Sequence, residues 1–425
     1  MSRLPAAVLA IALTALACTQ ETDPSDGRSP STVRVEVRAG GTTARQAMRR
    51  LCIQPEIVAG PVRPRPTPPA IAEVESQVEA VRELDFLRAV NVEPIPPGEI
   101  DRRLREYFDA TYPRRFYARR TDVWTTMGAI PRDVGILEAL DRYQQGQVLG
   151  FYNSQNEELV YTGDEDLDRI EQFVLAHELT HAIDDQHFDL DRLDELAQTC
   201  DDDRFLAALG AVEGSANHFA TQVANRFPVT EFGDLPGGGP RGVPQLIVEL
   251  QAYPYTLGQV FVDRLADDGG PAAVNRALRT FPITTEQVLH PSKFPGDTPR
   301  RVDVPDFAPT FGPRWRDHDV MLVGELWLRT VLDLRLDEPA AERAAAGWDG
   351  GIYRAWSDGD DVAVVLRTVW DTPLDAAEFS ATLDGWARQG PGDAVILAAV
   401  GNTVSAGFAS DEDLLPSLES VLRSV

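Results

Sequence analysis

The segment Val174-Leu175-Ala176-His177-Glu178-Leu179-Thr180-His181-Ala182-Ile183 sets an HExxH pentad in an apolar, helix-compatible run. Residues four apart are close to one helical turn from each other. On a helix His177 and His181 therefore fall about 40° apart on one face, and both imidazoles can reach a single ion. Glu178 stands beside them, where its carboxylate can hold a water next to that ion and take its proton, the general-base task of metal-assisted hydrolysis. The bland alternative is a helix that carries two histidines by accident. With six histidines in 425 residues, a chance pentad is on the order of one in a hundred, so the spacing favours a metal site, with zinc as the metal that suits it.

Four-coordinate zinc needs a third protein ligand and an open corner. His187 lies six residues after His181, the spacing of the HExxHxxGxxH class, but Asp184 stands where that class uses glycine to turn the chain. Without the turn the helix continues, and His187 points roughly 120° away from His181. No methionine falls between His187 and Met321, so the methionine turn of the metzincins has no counterpart. Glu213 is the second candidate, in the run Phe205 to Asn217 that reads as another helix. Gly210, Gly214 and Ala216 are expected to let that helix approach the pentad helix closely. A lone carboxylate there is costly to bury unless a cation or hydrogen bonds meet it. Glu213 is thus the preferred ligand, with His187 and His218 as alternatives. Without a metal, Glu213 is an exposed acid and His187 a surface histidine.

His177, Glu178, His181 and the later Glu213 resemble the gluzincin arrangement. That resemblance implies two histidines and a distant glutamate on zinc, with the pentad glutamate as base. More narrowly, His177 to Ala182, Asp185-Gln186-His187-Phe188 and Val212-Glu213-Gly214 resemble a group of bacterial HExxH lipoproteins. The likeness extends to Thr284-Thr285-Glu286-Gln287-Val288-Leu289-His290-Pro291 and to Val369-Trp370-Asp371. One departure concerns the residue four after the glutamate. Thermolysin-like gluzincins place an aspartate there to support a zinc histidine, whereas this chain has Asn217, and an amide orients an imidazole without raising its basicity as a carboxylate does. Hydrolysis also needs a donor for the developing oxyanion; His290 is the first choice, with Tyr253 and Tyr255 beside it. Arg314 and Arg316 are candidates for a substrate carboxylate, and surface salt bridges are the plainer reading of both.

At the N-terminus, Arg3, the apolar Leu4 to Leu16 and the small residues before Cys18 read as an export signal over residues 1–17. Cys18 resembles a lipobox cysteine that would be acylated and anchor the chain to a membrane, with an ordinary signal-peptidase site as the alternative. Cys52 and Cys200 then remain, as one disulfide or as two buried thiols. A formal charge of -27, from 40 Lys plus Arg against 67 Asp plus Glu, argues against nucleic acid as a partner. Asp201-Asp202-Asp203 lacks the alternating spacing of a calcium loop and reads as solvated.

Residues 18–69 divide into a polar tether, a short segment with a strand at Val33 to Val37 and a helix at Thr43 to Leu51, and a proline-rich linker at Val62 to Pro69. From residue 70 to 338 a zincin-like, mainly helical domain is expected. Helices fall at Ile71 to Leu104 (interrupted at Pro94 to Pro97), Arg132 to Tyr143, Gln245 to Leu265 and Val320 to Leu336, and Gly269-Gly270-Pro271 turns between helices. A hairpin, Gln147 to Tyr152 and Glu158 to Thr162, immediately precedes the pentad and would set a sheet edge beside the metal. Residues 339–425 read as a small α+β module, with strands at Ile352 to Trp356, Val362 to Trp370 and Ala394 to Val400 and helices at Pro373 to Arg388 and Asp411 to Val425. The expected class is α+β, and the expected activity is zinc-dependent hydrolysis of a peptide or protein substrate. The alternatives are an inactive envelope zinc protein and a zinc hydrolase of cell-wall amides.

Overall fold

Thr43 starts the first helix, α1 (Ala44–Leu51), through a capping box in which its side chain accepts from the Gln46 amide while the Gln46 side chain accepts from its own. The structure is a computed structural model that describes residues 35–52, 67–96, 98–103, 114–144, 149–162, 169–197, 199–227 and 241–425, together with Arg105 and Leu167. Residues 1–17, Cys18 and most of the proline-rich linker lie outside the described residues. So does part of the expected strand at 33–37, whose described part, 35–37, belongs to no strand. The C-cap of α1 is Cys52, which is disulfide-bonded to Cys200 across 148 residues. The segment before it is fastened too, because the buried Arg354 donates to the Thr42 carbonyl and hydroxyl and to the Val304 carbonyl.

Helix α2 (Pro69–Arg82) begins on a proline that costs it no hydrogen bond. It ends at Glu83, in the left-handed region at φ 56°. Where more helix was expected, Asn91–Ile95 forms strand β1. Its Pro94 is tolerated because β1 is an edge of a three-stranded sheet ordered β1-β3-β2. After α3 (Arg114–Thr126) and α4 (Ile136–Gln144) comes the expected hairpin, β2 (Gly150–Asn153) and β3 (Glu158–Thr162). Strand β3 pairs antiparallel with β2 and parallel with β1, so β2 is the other edge.

The pentad lies on α5 (Arg169–Phe188), which runs unbroken past Asp184 and His187. A short α6 (Asp191–Ala197) leads to α7 (Asp202–Arg226), capped by Asp201; the aspartate cluster is not the solvated loop expected, since Asp202 pairs with Arg120 and the buried Asp203 accepts from Thr285. Next come α8 (Gln245–Ala252) and α9 (Leu257–Arg279), the latter broken at Gly269 and Gly270 as the Gly-Gly-Pro run predicts. The glycines of α7 do something other than expected. A Cβ on Gly214 would stand 2.3 Å from the Gly258 carbonyl oxygen, and one on Gly258 would stand 2.5 Å from that of Gly210. They admit α9, not the pentad helix. Toward α5 it is Ser215 that makes the contact, donating to Asp184 at 2.7 Å.

Helix α10 (Thr285–Leu289), capped by Thr284, precedes β4 (Arg316–Leu322), a strand where the expected helix at Val320 to Leu336 was to begin; α11 (Glu325–Asp333) follows. Then come α12 (Glu338–Ala345), β5 (Trp348–Asp358), β6 (Asp361–Trp370), α13 (Pro373–Ala387), β7 (Asp393–Ile396), β8 (Thr403–Ala409) and α14 (Leu415–Leu422). The second sheet has the order β4-β5-β6-β8-β7 and is antiparallel throughout. It therefore takes its first strand from before residue 339. One apolar cluster runs from Ile71 and Leu175 through Phe219 to Val331, Tyr353 and Phe408, so the helical and sheet parts share a core. The class is α+β.

Candidate metal centre

Helix α5 presents His177 and His181 to Glu213 of α7. The two Nε2 atoms are 3.1 Å apart, and Glu213 Oε2 lies 3.2 Å from the first and 3.3 Å from the second. In a tetrahedron with bonds of about 2.0–2.1 Å to its centre, the corners are roughly 3.3 Å apart. The triangle is close to one face of such a tetrahedron, so the donor set fits a four-coordinate divalent ion and leaves a fourth corner. Both imidazoles are nine-tenths buried, and a carboxylate between them demands positive charge. Burial works against charge on His181, yet the Glu213 carboxylate outweighs it and holds that imidazole up at about 9. Glu213 in turn, although buried, is held well below the usual carboxylate range by His181 and His177. A proton or a metal ion can meet that demand, and the two compete for the same ring nitrogens.

The position of the triangle follows from its surroundings. Asp184, one turn beyond His181, accepts from Arg82 Nε at 2.7 Å and from Ser215 Oγ at 2.7 Å. The fully buried Arg82 also donates to Asn275 and lies 4.5 Å over the Phe219 ring. One ionic contact thus locks α2, α5 and α7 together behind the histidines. Asp184, which on sequence grounds only keeps His187 off the metal face, is what holds the two helices in register.

Glu178 is buried, and its Oε2 accepts from the Tyr152 amide of β2 at 2.8 Å. That contact needs β2 to press against α5. Gly150 permits it, since a Cβ there would meet Val174 Cγ1 at 2.8 Å and Glu178 Cγ at 3.4 Å. Burial raises the pKa of Glu178, while the two histidines oppose the rise. Tyr152 is itself fixed, its hydroxyl donating to Asp185 at 2.8 Å.

The remaining sequence candidates fall in different places. Tyr255 comes to the triangle: its ring is 6.1 Å from that of His177 and nearly parallel to it. The Glu213 carboxylate first, then burial, pushes its hydroxyl well above the ordinary tyrosine range. Asn217 donates to the Tyr255 carbonyl at 3.1 Å, so it positions that tyrosine and not a histidine. Tyr253 is buried under Gly210. His187 meets the Asp85 carbonyl at 2.9 Å on the surface, and His218 meets Asp263 at 2.6 Å; neither is in the triangle. His290 pairs with Glu325 at 2.9 Å. Glu325 neighbours Asp203 electrostatically, on the first turn of α7 and about 15 Å of helix rise from Glu213. Arg314 is ion-paired to Asp358 at 2.9 Å, the surface salt bridge of the plainer reading, whereas Arg316 donates to the Pro313 and Trp315 carbonyls.

Residues 314–412 match a domain family of unknown function, DUF8575, which spans the second sheet and not the triangle. No curated protein matches the chain. Among solved structures, the chain is similar to a crystal structure described as a candidate hydrolase with a novel fold, from Chloroflexus aurantiacus. The identity is 16%, over 59% of this chain and 95% of that one, with a TM-score of 0.32. A likeness that low carries no inference about fold or activity.

Proposed function

We propose that the chain is a zinc-dependent hydrolase of peptide bonds, of the zincin-like, gluzincin type, with His177, His181 and Glu213 as metal ligands and Glu178 as general base. The observation that carries this reading is the triangle of donor atoms 3.1–3.3 Å on a side with a buried carboxylate next to it. The three ligands would hold the zinc, whose Lewis acidity would lower the pKa of a water beside Glu178. Glu178 accepts the proton of that water. Its rotamer is held by the Tyr152 amide, and the raised proton affinity that burial gives it lets it pass the proton on to a leaving amine. Tyr255, kept protonated by its carboxylate neighbours, is the donor for the oxyanion, in the role first assigned to His290. Strand β2 lies at a sheet edge against α5 and is where an extended peptide would add itself as a strand.

We further propose that the chain is exported and anchored through an acylated Cys18. No described helix is long and apolar enough to cross a membrane. The test combines elemental analysis of the purified chain with a screen of peptide libraries and peptidoglycan fragments. About one zinc per chain is expected, with peptide cleavage that Glu178→Gln abolishes while zinc is retained. Undiminished cleavage in that variant overturns the reading. Zinc without turnover of any substrate assigns the site to a non-catalytic envelope protein.

A further inference from the structure

Three polar residues that the proposed peptide hydrolysis does not use meet on the second sheet. Strand β4 carries one residue too many against β5: Asp317 is opposite Trp356 and Asp319 opposite Ala355, which leaves His318 as the unpaired residue of a bulge. Such a bulge re-aims the side chain it carries. Here the imidazole reaches two groups at once. Its Nδ1 is 2.9 Å from Oγ of Ser357 on β5, and its Nε2 is 2.9 Å from Oδ2 of Asp122 on α3. The three residues come from three separate elements, so only the fold brings them together.

The order of the two contacts fixes where the protons lie. A carboxylate only accepts, so the proton of the neutral ring sits on Nε2 and is donated to Asp122. Nδ1 is then bare, and the Ser357 hydroxyl donates to it. A hydroxyl whose proton already faces a base, with a third group holding that base from behind, is the arrangement of a serine nucleophile, and its roles do not depend on chain order or fold. A further group stands beside it. Arg316 is directly opposite Ser357 across the ladder, so the two side chains leave the same face of the sheet with Cβ atoms about 4.5–5.5 Å apart. Its Nη1 is fixed on the Pro313 and Trp315 carbonyls, and among the described residues no carboxylate pairs with this exposed guanidinium. Arg314, by contrast, is spent on Asp358.

We propose that Ser357, His318 and Asp122 form a second catalytic site, one for acyl transfer from aryl esters of carboxylic acids. Oγ attacks the acyl carbon as its proton passes to His318 Nδ1. The bond to the aryl oxygen breaks, and that oxygen leaves with the proton from Nδ1. Water then repeats the sequence, releasing the acid and restoring the hydroxyl. Arg316 supplies positive charge on the side where the oxyanion forms. Ser357 is only half-buried, near the end of its strand; a site this open holds little of its substrate, which is why the class is esters with a good leaving group. Asp122 is 53% exposed against 16% for His318. A solvated carboxylate interacts weakly, so Asp122 is a positioning residue that sets the tautomer and the tilt of the ring.

The experiment is labelling of the disulfide-intact full chain with a fluorophosphonate in the presence of a metal chelator, followed by peptide mapping. The Oγ–P bond forms as P–F breaks, fluoride leaves, and the proton goes to His318. Chelation silences the metal triangle and spares a serine, so this site and the proposed peptidase stand or fall separately. About one label per chain at Ser357 is expected, together with chelator-resistant hydrolysis of p-nitrophenyl acetate. His318→Gln should slow labelling about a hundredfold or more, and Arg316→Ala about tenfold. Asp122→Ala should slow it about tenfold, with part of that rate recovered in Asp122→Glu. Arg316 and Asp122 are exposed, so their variants should melt like the parent, which keeps the rates interpretable even if His318→Gln is destabilised. No label at Ser357, labels confined to other serines, or an undiminished rate in His318→Gln overturns the proposal.

Discussion

Two clusters of histidine and carboxylate lie on and beside α7, one largely buried and one reaching the surface through Asp371, and they differ chiefly in the cation that each provides. In the first, His177, His181 and Glu213 converge within hydrogen-bonding distance, and the contacts of the carboxylate are imidazoles and Tyr255. In the second, His290 meets Glu325 at 2.9 Å, while Lys293, the chain's single lysine, reaches Glu286 together with Asp371 at 3.1 Å and Asp297 at 3.3 Å. The second cluster carries its own permanent cation, and the first does not. A buried carboxylate needs compensation in either case. Where the chain provides a lysine the cluster is closed within itself; where only imidazoles are provided, the site is left able to accept a metal.

The largest effects should separate the two clusters. Glu213→Ala removes one corner of the triangle, and zinc content is expected to fall from about one per chain to near zero, an affinity loss of about a thousandfold or more. Elemental analysis after dialysis reads this directly, and retained zinc would mean that the triangle is not the site. Lys293→Met should do the opposite. It leaves zinc content unchanged but strands Glu286, which is 4% exposed and already pushed up to about 8, chiefly by burial. Because Glu286 can take up a proton in place of the lost ammonium, and Lys293 is itself 28% exposed, a loss on the order of 2–4 kcal/mol in urea unfolding is expected. Loss of zinc in this variant would merge the two clusters and undo the comparison.

How far each cluster can be read from sequence follows from the same difference. The pentad helix is legible because two histidines four apart have one geometric meaning. Glu213 is legible because a carboxylate among Gly210, Ala211 and Gly214 has few reasons to be there. The partner of those glycines is not legible, since small residues signal close approach without saying to what. They receive Gly258 of α9, a contact 44 residues on from Gly214 in the chain. His290 is misplaced for a related reason: a histidine on a proline-flanked turn suits either an oxyanion or an ion pair, and only its approach to Glu325, 35 residues away, decides. In the sheet, β5 and β6 follow from their apolar runs. Strand β8 escapes because Thr403–Ala409 is buried at six of its seven positions and is rich in small residues, so neither alternation nor bulk marks it.

An effect of similar size, spread over pH, comes from Asp203, the residue of α7 nearest the second cluster. Burial, opposed by its hydrogen bonds to Thr285, pushes its carboxyl from an ordinary 3.8 up to about 7. The unfolded chain releases this proton near pH 4, whereas the folded one keeps it until about pH 7. Stability from this group is therefore complete below pH 4, falls between pH 4 and 7, and is flat above that, a decline on the order of 2–4 kcal/mol. Asp203→Asn keeps the oxygen that accepts from the Thr285 amide and removes the titration. Urea midpoints at pH 4.5 and 7.5 should differ less in this variant than in the parent; an unchanged difference would place the pH dependence elsewhere.

The smallest expected effect carries the sharpest exclusion. His187 is the rival third ligand by spacing, and the HExxHxxGxxH arrangement would make it indispensable. In the structure α5 does not turn at Asp184. It continues to Phe188, which carries His187 to the surface and onto the Asp85 carbonyl at 2.9 Å. His187→Ala should then cost no zinc and only about 0.5–1 kcal/mol, the worth of one partly exposed hydrogen bond. Paired with Glu213→Ala in the same elemental analysis, it divides the alternatives cleanly. If zinc follows His187 and not Glu213, helix α5 must break at Asp184 when the ion binds, and the contacts of Asp184 with Arg82 and Ser215 would have to be given up to let it.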